Sequence, residues 1–455
     1  MIESEKKIIV ELVGRLASLE IQGVSIDSRN IKAGELFIAI KGDRFDGHDF
    51  VSEAIKKGAW GALVARAALA GRYGNLRGIQ NILPVEDTLF ALQEMSLMHR
   101  KKFSIPLVGI TGTNGKTTTK EMLAAIMMQK GPVLKNEGNL NNHIGVPLTL
   151  LKLEARHRTG VVEMGMSAPG EIELLARLVD PDVGVITNVG PAHLEFLGTT
   201  DRVAEAKAEL LTNLKSGGIA VLNADDHYFE TFKRKWHGRI LSFGIENKAD
   251  VSASDIRPGT DFTDCRIMVA GAEANVRLRI VGRHNIYNAL AASAAALAAG
   301  MSLDDVKAGL GGFVPLAMRS ELKRVRGRKV LADYYNANPG SVKAALETLA
   351  SLGAGTKSVA VLGDMLELGE TAVEAHREIG RIAARLGVDI LITVGELSRL
   401  MLAGARDAGM PEDRLFAAGS HAEAATLLKQ HSGEGDVVLI KGSRGMKMEK
   451  ILEGF

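Results

Sequence analysis

The chain has 455 residues and a formal net charge of only +2, from 56 basic and 54 acidic side chains. Its hydrophobic content of 46% is ordinary for a soluble globular protein, and the length predicts roughly three domains. The charge balance excludes bulk attraction to nucleic acid. The single cysteine, Cys265, excludes an internal disulfide and a two-cysteine zinc site. It fits a reducing compartment, so we expect a cytoplasmic protein with no signal peptide and no membrane span.

The first segment, residues 1–83, mixes short strands such as 35–40 with glycine turns and predicts a small mixed α/β domain. A helical repeat of apolar residues follows over residues 84–102, where Leu89, Leu92 and Met95 are spaced as on one helix face. We expect this helix to lead into the second domain.

Residues 109–118 read Gly-Ile-Thr-Gly-Thr-Asn-Gly-Lys-Thr-Thr, after a short apolar run and before a predicted helix at 116–129. A glycine loop between a strand and a helix is the setting in which backbone N–H groups and a helix N-terminus bind phosphate. Gly112 and Gly115 let the backbone surround an anion, Lys116 reaches the terminal phosphates, and Thr117 offers a hydroxyl to Mg²⁺. The sequence therefore predicts a nucleoside triphosphate site.

Strands and helices alternate through residues 84–314 and again through residues 315–455, which predicts parallel sheets covered by helices. Central strands are predicted at 161–162, 183–186 and 219–222, with helices at 170–179, 201–214 and 286–299. The last segment has predicted strands at 330–332, 359–362, 390–394 and 437–440, and a helix that begins at Asn338-Pro339. It lacks the glycine fingerprint of dinucleotide binders. Ligands of such sheets bind beyond the carboxyl ends of the strands.

Three further residues of the middle segment suggest metal-dependent phosphoryl transfer. Glu163 ends a strand and can hold Mg²⁺, or it is a solvated carboxylate. His193 follows another strand and is equally well a ligand or a structural histidine. Lys207 lies on the apolar stripe of its helix, where burying an amine costs free energy unless the amine is paired or modified. Alternatively, its side chain extends past the apolar edge and places the ammonium in solvent.

Polar loops also follow several predicted strands. Packing of a hydrophobic core does not explain polar side chains at these positions. They lie at 139–142, 283–288, 333–338 and 441–444, and Arg319 lies at the last domain boundary. Asn247-Lys248-Ala249-Asp250 matches the guanine-reading motif of GTPases. The second metal motif of a GTPase, an Asp with a Gly three residues later, is missing, so we interpret the match as accidental.

Motifs along the whole chain resemble those of the Mur ligases, the ATP-dependent amide-forming enzymes of bacterial cell-wall synthesis. Besides the phosphate loop, they lie at 25–29, 163–167, 188–193, 333–339 and 441–444. Within the family the chain is most similar to members that add D-alanyl-D-alanine to UDP-N-acetylmuramoyl tripeptide. The resemblance implies an α/β fold of three domains: a UDP-sugar domain (1–83), a central phosphate-loop ATPase-like parallel sheet (84–314) and a C-terminal doubly wound, Rossmann-like ligase domain (315–455).

The resemblance also implies a role for each matched residue. The residues implied to bind ATP are Gly112, Thr113, Asn114, Gly115, Lys116, Thr117 and Thr118, with Asn285 and Asn288 near adenine, Arg319 near the phosphates and Asp333 at the ribose. The residues implied to bind Mg²⁺ directly, or to contact its ligands, are Thr117, Glu163, His193 and Lys207, with Lys207 as a carbamate. The implied substrate contacts are Ser28, Arg29, Asn139 and Asn142, with Asn336, Asn338 and Arg444 where the dipeptide enters. The implied catalytic residues are Lys116, Lys207, His193 and Arg319.

The implied reaction begins with transfer of phosphate from ATP to the terminal carboxylate of the tripeptide, which the amine of D-alanyl-D-alanine then attacks. Lys116 and Asp333 belong to different predicted domains, so we expect the last domain to close over the central one. We expect a monomer.

Three alternatives stay open at this point. The nearest is a sibling ligase, such as one that adds the third peptide residue or a folyl-polyglutamate synthase, and the loop at 333–339 argues against both. A nucleotide switch that binds partners would need switch motifs that the sequence lacks. A kinase would stop at phosphoryl transfer. The sequence leaves open whether the third peptide residue is lysine or diaminopimelate.

Overall fold

The computed structural model describes residues 3–18 and 20–455 of the chain. They form two compact units, one built from the described residues up to 109 together with 131–166 and 171–181, and the other from residues 110–130, 167–170 and 182–455. The helices are α1 Glu3–Ala17, α2 Val51–Lys56, α3 Arg66–Ala70, α4 Thr88–Arg100, α5 Lys116–Met127, α6 Gly145–Leu150, α7 Glu171–Val179, α8 Leu194–Leu197, α9 Thr200–Thr212, α10 Phe229–Lys235, α11 Arg283–Ala298, α12 Leu303–Gly311, α13 Pro339–Leu352, α14 Ala372–Arg385, α15 Arg399–Asp407, α16 His421–His431 and α17 Glu449–Gly454.

The strands alternate with these helices along most of the chain. They are β1 Gly23–Ser25, β2 Glu35–Ile38, β3 Gly61–Ala65, β4 Ile82–Val85, β5 Leu107–Thr111, β6 Val133–Lys135, β7 Thr159–Glu163, β8 Val183–Ile186, β9 Ile219–Asn223, β10 Arg239–Gly244, β11 Val251–Pro258, β12 Thr263–Val269, β13 Ala272–Leu278, β14 Glu321–Val325, β15 Arg328–Ala332, β16 Ser358–Gly363, β17 Ile390–Val394, β18 Leu415–Ala418 and β19 Val437–Lys441.

In the first unit a parallel sheet has the order β1-β2-β3-β4. Successive residues of β2 point to opposite faces, and both faces are buried: Leu36 and Ile38 pack with α1 and α4, while Phe37 packs with α2 and α3. The same unit contains β6 paired in parallel with β7, at whose end Glu163 lies.

In the second unit β8, β9, β10 and β11 pair in parallel, and β12 and β13 extend them as antiparallel strands. In β12, buried Thr263, Cys265 and Ile267 alternate with more accessible residues, which is the pattern of a strand with one covered face. The phosphate loop, α5 and the polar helix starts considered below all belong to this unit.

The last part of the second unit contains a sheet in the order β14-β15-β19-β16-β17-β18, parallel except for the pair β14–β15. Its strands β16, β17 and β19 are buried on both faces. Val359 and Val361 pack toward α16 and α17, and Ala360 and Leu362 pack toward α13, α14 and α15. This is the predicted doubly wound arrangement, in which site residues follow the carboxyl ends of strands.

Most predicted elements agree with the structure, and the differences have simple causes. The helix expected from residue 84 begins at Thr88 instead, because Pro84 and Val85 pair with β3 and Asp87 caps the helix. The predicted domain boundary at residue 83 therefore falls inside β4. The strands β11, β12 and β13 were not predicted from the sequence. Within the described part of the chain, every helix is too short or too polar to cross a membrane.

Candidate active site

The phosphate loop follows β5, and two glycines allow its conformation. Gly112 and Gly115 have φ angles of +148° and +80°, in the region that disfavours other residues. A Cβ atom on Gly112 would lie 1.9 Å from Thr187 Oγ1, and one on Gly115 would lie 2.0 Å from Asn288 Oδ1. Any larger residue at either position would therefore displace the loop. Helix α5 begins at Lys116 directly after this turn, as the motif predicts.

The loop is held by hydrogen bonds to the segment after β8. The Thr113 backbone N–H donates to the Asn188 carbonyl at 2.9 Å, and the Gly190 N–H donates to Thr113 Oγ1 at 3.0 Å. Lys116 Nζ donates to the carbonyl oxygens of Gly112, at 2.8 Å, and of Thr113, at 3.1 Å. The ammonium therefore lies over the loop that would surround a phosphate. Thr117 and Thr118 are buried in the first turn of α5.

Lys207 is a buried amine close to the loop. Only 2% of the residue is exposed, and Val203 and Leu210 beside it on α9 are fully buried. The prediction that Lys207 lies on the apolar stripe is confirmed, and the alternative of a lysine reaching past that stripe to solvent is wrong. Burial, and then the positive charge of Lys116, lower the pKa of the Lys207 ammonium well below its ordinary value, while Asp226 opposes them.

His193 lies near both lysines. Burial lowers its pKa, as do the positive charges of Lys116 and Lys207, whereas Glu367 raises it. His193 has a φ angle of +55° and directly precedes α8. Its Nδ1 lies 2.9 Å from Glu367 Oε2, but the angles of this contact differ from those of a regular hydrogen bond. Glu367 was not predicted as a site residue from the sequence. Its position in a polar loop after the predicted strand at 359–362 is the feature that could have identified it.

Asp226, which follows β9, was also missed from the sequence. Its carboxylate accepts hydrogen bonds from the backbone N–H groups of Val189, at 2.7 Å, and Tyr228, at 2.9 Å. It therefore fixes the segment that carries His193. Burial raises the pKa of Asp226, and the positive charge of Lys207 partly opposes this rise. An acid directly after a predicted strand, in Asn-Ala-Asp-Asp, is the signal that could have identified it.

Glu163 in the first unit is 3% exposed, so it is not the solvated carboxylate of the alternative interpretation. Its Oε1 accepts a hydrogen bond from Asn141 Nδ2 at 2.9 Å, and its backbone pairs with the Asn136 side chain. Asn142, a predicted substrate contact, accepts hydrogen bonds from the Ile144 and Gly145 N–H groups where α6 begins, and Asn139 is exposed; substrate contact by either stays a prediction. Asn141, between these two residues, is the one that contacts the carboxylate.

Ser28 and Arg29 also lie in the first unit. Ser28 is buried and donates to Glu53 Oε2 at 3.4 Å, while Arg29 is exposed and forms two hydrogen bonds to Asp27, at 2.9 and 2.8 Å. The Arg29 side chain lowers the pKa of Asp27 to about 2.

Asn285 and Asn288 open α11 and are buried against the phosphate loop. Asn285 Nδ2 donates to the Val281 carbonyl at 2.7 Å, and Asn288 Nδ2 donates to Asn285 Oδ1 at 2.9 Å. Asn288 Oδ1 lies beside Gly115. These amides therefore connect the start of α11 to the loop, and adenine contact by them stays a prediction.

Asp333, directly after β15, and Lys441, the last residue of β19, form an ion pair whose side chains are 16% and 2% exposed. Lys441 Nζ donates to Asp333 Oδ2 at 2.6 Å and to the Asn336 carbonyl at 2.9 Å, and the Ser320 N–H donates to Asp333 Oδ1 at 2.9 Å. Burial alone would raise the pKa of Asp333, but the Lys441 ammonium outweighs it and lowers that pKa. Both carboxylate oxygens of this predicted ribose ligand thus have protein partners, and Lys441 was not predicted as a site residue.

The remaining predicted residues of the last segment lie on the surrounding loops. Arg319 lies 3.8 Å above the Tyr335 ring, and Arg444 Nη1 donates to Glu449 Oε1 at 2.8 Å. Asn336 is exposed, whereas Asn338 is buried, caps α13 and pairs with Asn114 of the phosphate loop.

The residues of the GTPase-like match have a structural role. The Asp225 carboxylate accepts hydrogen bonds from the N–H groups of Ile245, Glu246 and Asn247, and Asp250 accepts from Ser242. The loop is a capped turn, consistent with an accidental match. Among residues 3–18 and 20–455, no group of three or more His, Cys, Asp or Glu side chains is placed to hold a metal ion.

Comparison with known proteins extends over all three segments. The model of the Mur ligase family, catalytic domain, matches residues 20–100, that of the Mur ligase middle domain matches 110–296, and that of the Mur ligase, glutamate ligase domain, matches 318–444. The chain is 37% identical to the UDP-N-acetylmuramoyl-tripeptide--D-alanyl-D-alanine ligase of Bacillus subtilis, covering 100% of this chain and 98% of that protein. It is 35% identical to the ligase of the same name from Escherichia coli, covering 96% and 94%.

Solved structures give the same result. MurF from Acinetobacter baumannii is 33% identical, with a TM-score of 0.85 over 95% of this chain and 94% of that one. MurF ligase from Thermotoga maritima in complex with ADP is 30% identical, with a TM-score of 0.84 over 96% and 97%. The predicted three-domain α/β fold class is therefore confirmed. Because these similarities span nearly the full length of both partners, the chain belongs to the Mur ligase family.

Proposed function

We propose that the chain is an ATP-dependent ligase that joins D-alanyl-D-alanine to UDP-N-acetylmuramoyl tripeptide, forming ADP and phosphate, in cytoplasmic synthesis of peptidoglycan precursors. The observation that carries the proposal is the phosphate loop with Lys116 over it and Lys207 and His193 close by. Two further facts support it. Full-length relatives from B. subtilis and E. coli are named for this activity, and the similar T. maritima structure contains ADP.

The chemistry follows from the need for a leaving group. An oxygen of the tripeptide carboxylate attacks the γ-phosphorus of ATP, and the bond between that phosphorus and the oxygen of ADP breaks. The amine nitrogen of D-alanyl-D-alanine then attacks the acyl carbon, loses a proton, and expels phosphate from a tetrahedral intermediate. The protein contributes positioning and charge neutralisation. Lys116 would exchange its contacts with the Gly112 and Thr113 carbonyls for phosphate oxygens.

The donors proposed for Mg²⁺ fit a hard cation, which prefers oxygen ligands. By similarity we propose as oxygen ligands Glu163, which supplies a buried carboxylate, and Thr117, which supplies a hydroxyl at the start of α5, with His193 in the surroundings of the ion. A bound Mg²⁺ ion would neutralise charge on the transferred phosphoryl group. For the Lys207 amine we propose a carbamate, because burial without a carboxylate partner among the described residues disfavours the ammonium, and the neutral amine is the form that attacks CO₂.

The two ends of the substrate would be held by different segments. Ser28 and Arg29 in the segment 1–83 would contact the UDP end, and Asn336 and Arg444 in the segment 315–455 would contact the dipeptide. Arg444 is 51% exposed and can present its guanidinium to a carboxylate. We also propose the remaining assignments by similarity: adenine at Asn285 and Asn288, ribose at Asp333, phosphate at Arg319, and a monomeric enzyme.

The test is an assay of phosphate release and amide formation with the UDP-muramoyl tripeptide, with and without D-alanyl-D-alanine. Lysine- and diaminopimelate-containing tripeptides are compared. We expect ADP, phosphate and the pentapeptide nucleotide in equal amounts only when the dipeptide is present. Phosphorylated tripeptide without an amide would indicate a kinase, and incorporation of a free amino acid or glutamate instead of the dipeptide would indicate a sibling ligase.

A further inference from the structure

Asn114 in the phosphate loop has a backbone that is already held on both sides. Its N–H donates to Asn188 Oδ1 at 2.9 Å, and its carbonyl accepts from Thr187 Oγ1 at 2.6 Å and from Asn188 Nδ2 at 3.1 Å. The fold of the loop therefore does not require the Asn114 side chain to bond to its own backbone. That side chain is available for another element.

The Asn114 side chain pairs with Asn338, 224 residues later in the chain. Asn338 Nδ2 donates to Asn114 Oδ1 at 2.8 Å, and Asn114 Nδ2 donates to Asn338 Oδ1 at 3.3 Å. Each amide is both donor and acceptor, which a carboxylate or a hydroxyl cannot reproduce in the same geometry. A Cβ atom on Gly340, in the first turn of α13, would lie 3.3 Å from Asn114 Nδ2, so the helix start approaches the loop closely.

Asn338 is also fixed from its own side. It is 8% exposed, its Oδ1 accepts from the Ser341 N–H at 2.9 Å, and its N–H donates to Ser341 Oγ at 3.0 Å. These two bonds form a capping box at the start of α13. The side chain therefore holds the start of α13 and the phosphate loop at once, and only one Nδ2 hydrogen is left for any other partner.

We propose that Asn338 is a positioning residue of the nucleotide site, which fixes the phosphate loop through Asn114, and not a contact for the dipeptide. Because the cap makes Asn338 rigid, the start of α13 determines where the loop presents its N–H groups and Lys116 to ATP. Loss of the pair would remove the link between the phosphate loop and the start of α13 and leave the remaining amide short of a partner. This inference rests on the proposed function only in taking the loop to bind ATP.

The test uses Asn338→Ser, which keeps a good helix cap but is too short to reach Asn114. Asn114→Ala removes the pair from the other side and leaves the α13 cap untouched. Ser341→Ala is the matched control, because it weakens the capping box and leaves the amide pair. All three variants are full-length chains whose thermal unfolding is measured first.

We expect Asn338→Ser to weaken binding of a non-hydrolysable ATP analogue, measured by calorimetry, about tenfold, the equivalent of one to two hydrogen bonds. The KM for ATP should rise by a similar factor, while the KM for D-alanyl-D-alanine should change less than about twofold. Ser341→Ala should lower the unfolding temperature and leave analogue binding unchanged. The double variant Asn114→Ala with Asn338→Ser should bind no more weakly than the weaker single variant, because both remove one interaction.

Unchanged analogue binding in Asn338→Ser, a rise confined to the KM for the dipeptide, or multiplicative losses in the double variant would each overturn the inference. If the wild-type chain binds the analogue but forms no amide, the proposed function fails while the binding measurements still decide this inference. If the wild-type chain does not bind the analogue, both fail.

Discussion

Lys207 and Lys441 are two lysines with the same 2% exposure and opposite surroundings. Lys441 Nζ contacts Asp333 Oδ2 at 2.6 Å and two backbone carbonyls, so its charge is balanced within the protein. Lys207 forms no ion pair with any carboxylate among the described residues, and Asp226, whose charge acts on it, also accepts two backbone N–H groups. The buried cation is stabilised in the first case and destabilised in the second.

The comparison distinguishes a lysine that stabilises the fold from a lysine whose amine is available for the reaction. A buried charge is tolerated when its partner and its hydrogen bonds are complete, and then its removal harms the fold. A buried amine without a partner is retained for reasons other than stability. At Lys207 the ionisable neighbours include Lys116, at the end of the phosphate loop, and His193. We therefore expect substitutions at Lys207 to change activity and substitutions at Lys441 to change stability.

The largest effect should come from Lys207→Met, which keeps the volume and removes the amine. We expect the rate of amide formation to fall about 10³-fold or more, equivalent to about 4 kcal/mol of transition-state stabilisation. The free energy of unfolding should stay the same or rise, because an unpaired buried amine is replaced by an apolar group. Steady-state kinetics and urea unfolding of the same preparation measure both.

Two further variants test whether the lost group at Lys207 is a carbamate. Lys207→Arg should be as inactive as Lys207→Met, because guanidinium stays cationic and does not react with CO₂. In Lys207→Ala, added formate should restore part of the activity by supplying the missing oxygens. High activity in Lys207→Arg would contradict the assignment.

Lys441→Met should destabilise the fold, because Asp333 would stay buried without its cation. We expect the free energy of unfolding to fall by about 3 kcal/mol. The double variant Lys441→Met with Asp333→Asn should recover part of that loss, since the unpaired charge is gone. A loss no larger than that of an exposed lysine, such as Lys343→Met at 58% side-chain exposure, would show that the pair is not structural.

The sequence predicts the phosphate loop and the buried position of Lys207 because strand ends and helix faces are local patterns. The glycine spacing of the phosphate loop and the apolar stripe around Lys207 identified those residues directly. Partners distant in sequence could not be predicted in this way: Asp333 and Lys441 are 108 residues apart and meet only because β15 pairs with β19. Asn141, which contacts Glu163, could not be distinguished from Asn139 and Asn142, since all three share one loop.

The missed strands have a different cause. Residues 251–278 alternate buried and accessible side chains, but many of the buried ones are small or polar, as at Ala253, Thr263 and Ala274. The alternation of apolar and polar residues is therefore weak in the sequence of this region, although buried and accessible side chains alternate in the structure. Pairing of β11, β12 and β13 with one another stabilises what the local pattern only weakly indicates.

A smaller effect concerns His284, which lies near the Asp333–Lys441 pair. Burial, followed by the positive charge of Lys441, lowers its pKa to about 4, whereas Asp333 opposes this. The folded state therefore keeps His284 neutral while the unfolded state protonates at its ordinary pKa. The contribution of His284 to the free energy of unfolding is therefore fully present above about pH 6.5 and is lost as the pH falls toward 4. The loss is at most about 1.4 kcal/mol per pH unit.

His284→Asn should remove that dependence. Urea unfolding of the wild type and the variant between about pH 7 and pH 5 should give a shallower decline for the variant. Equal slopes for both proteins would mean that His284 does not bind an additional proton on unfolding.

The most direct test of the account is carbon-13 NMR of protein equilibrated with labelled bicarbonate, in an active, magnesium-loaded sample. We predict one carbamate carbonyl signal in the wild type, the same signal in Lys441→Arg, and no signal in Lys207→Met. A fully active wild-type sample without a carbamate signal, or a signal that persists in Lys207→Met, would contradict the claim that Lys207 is buried in order to be modified.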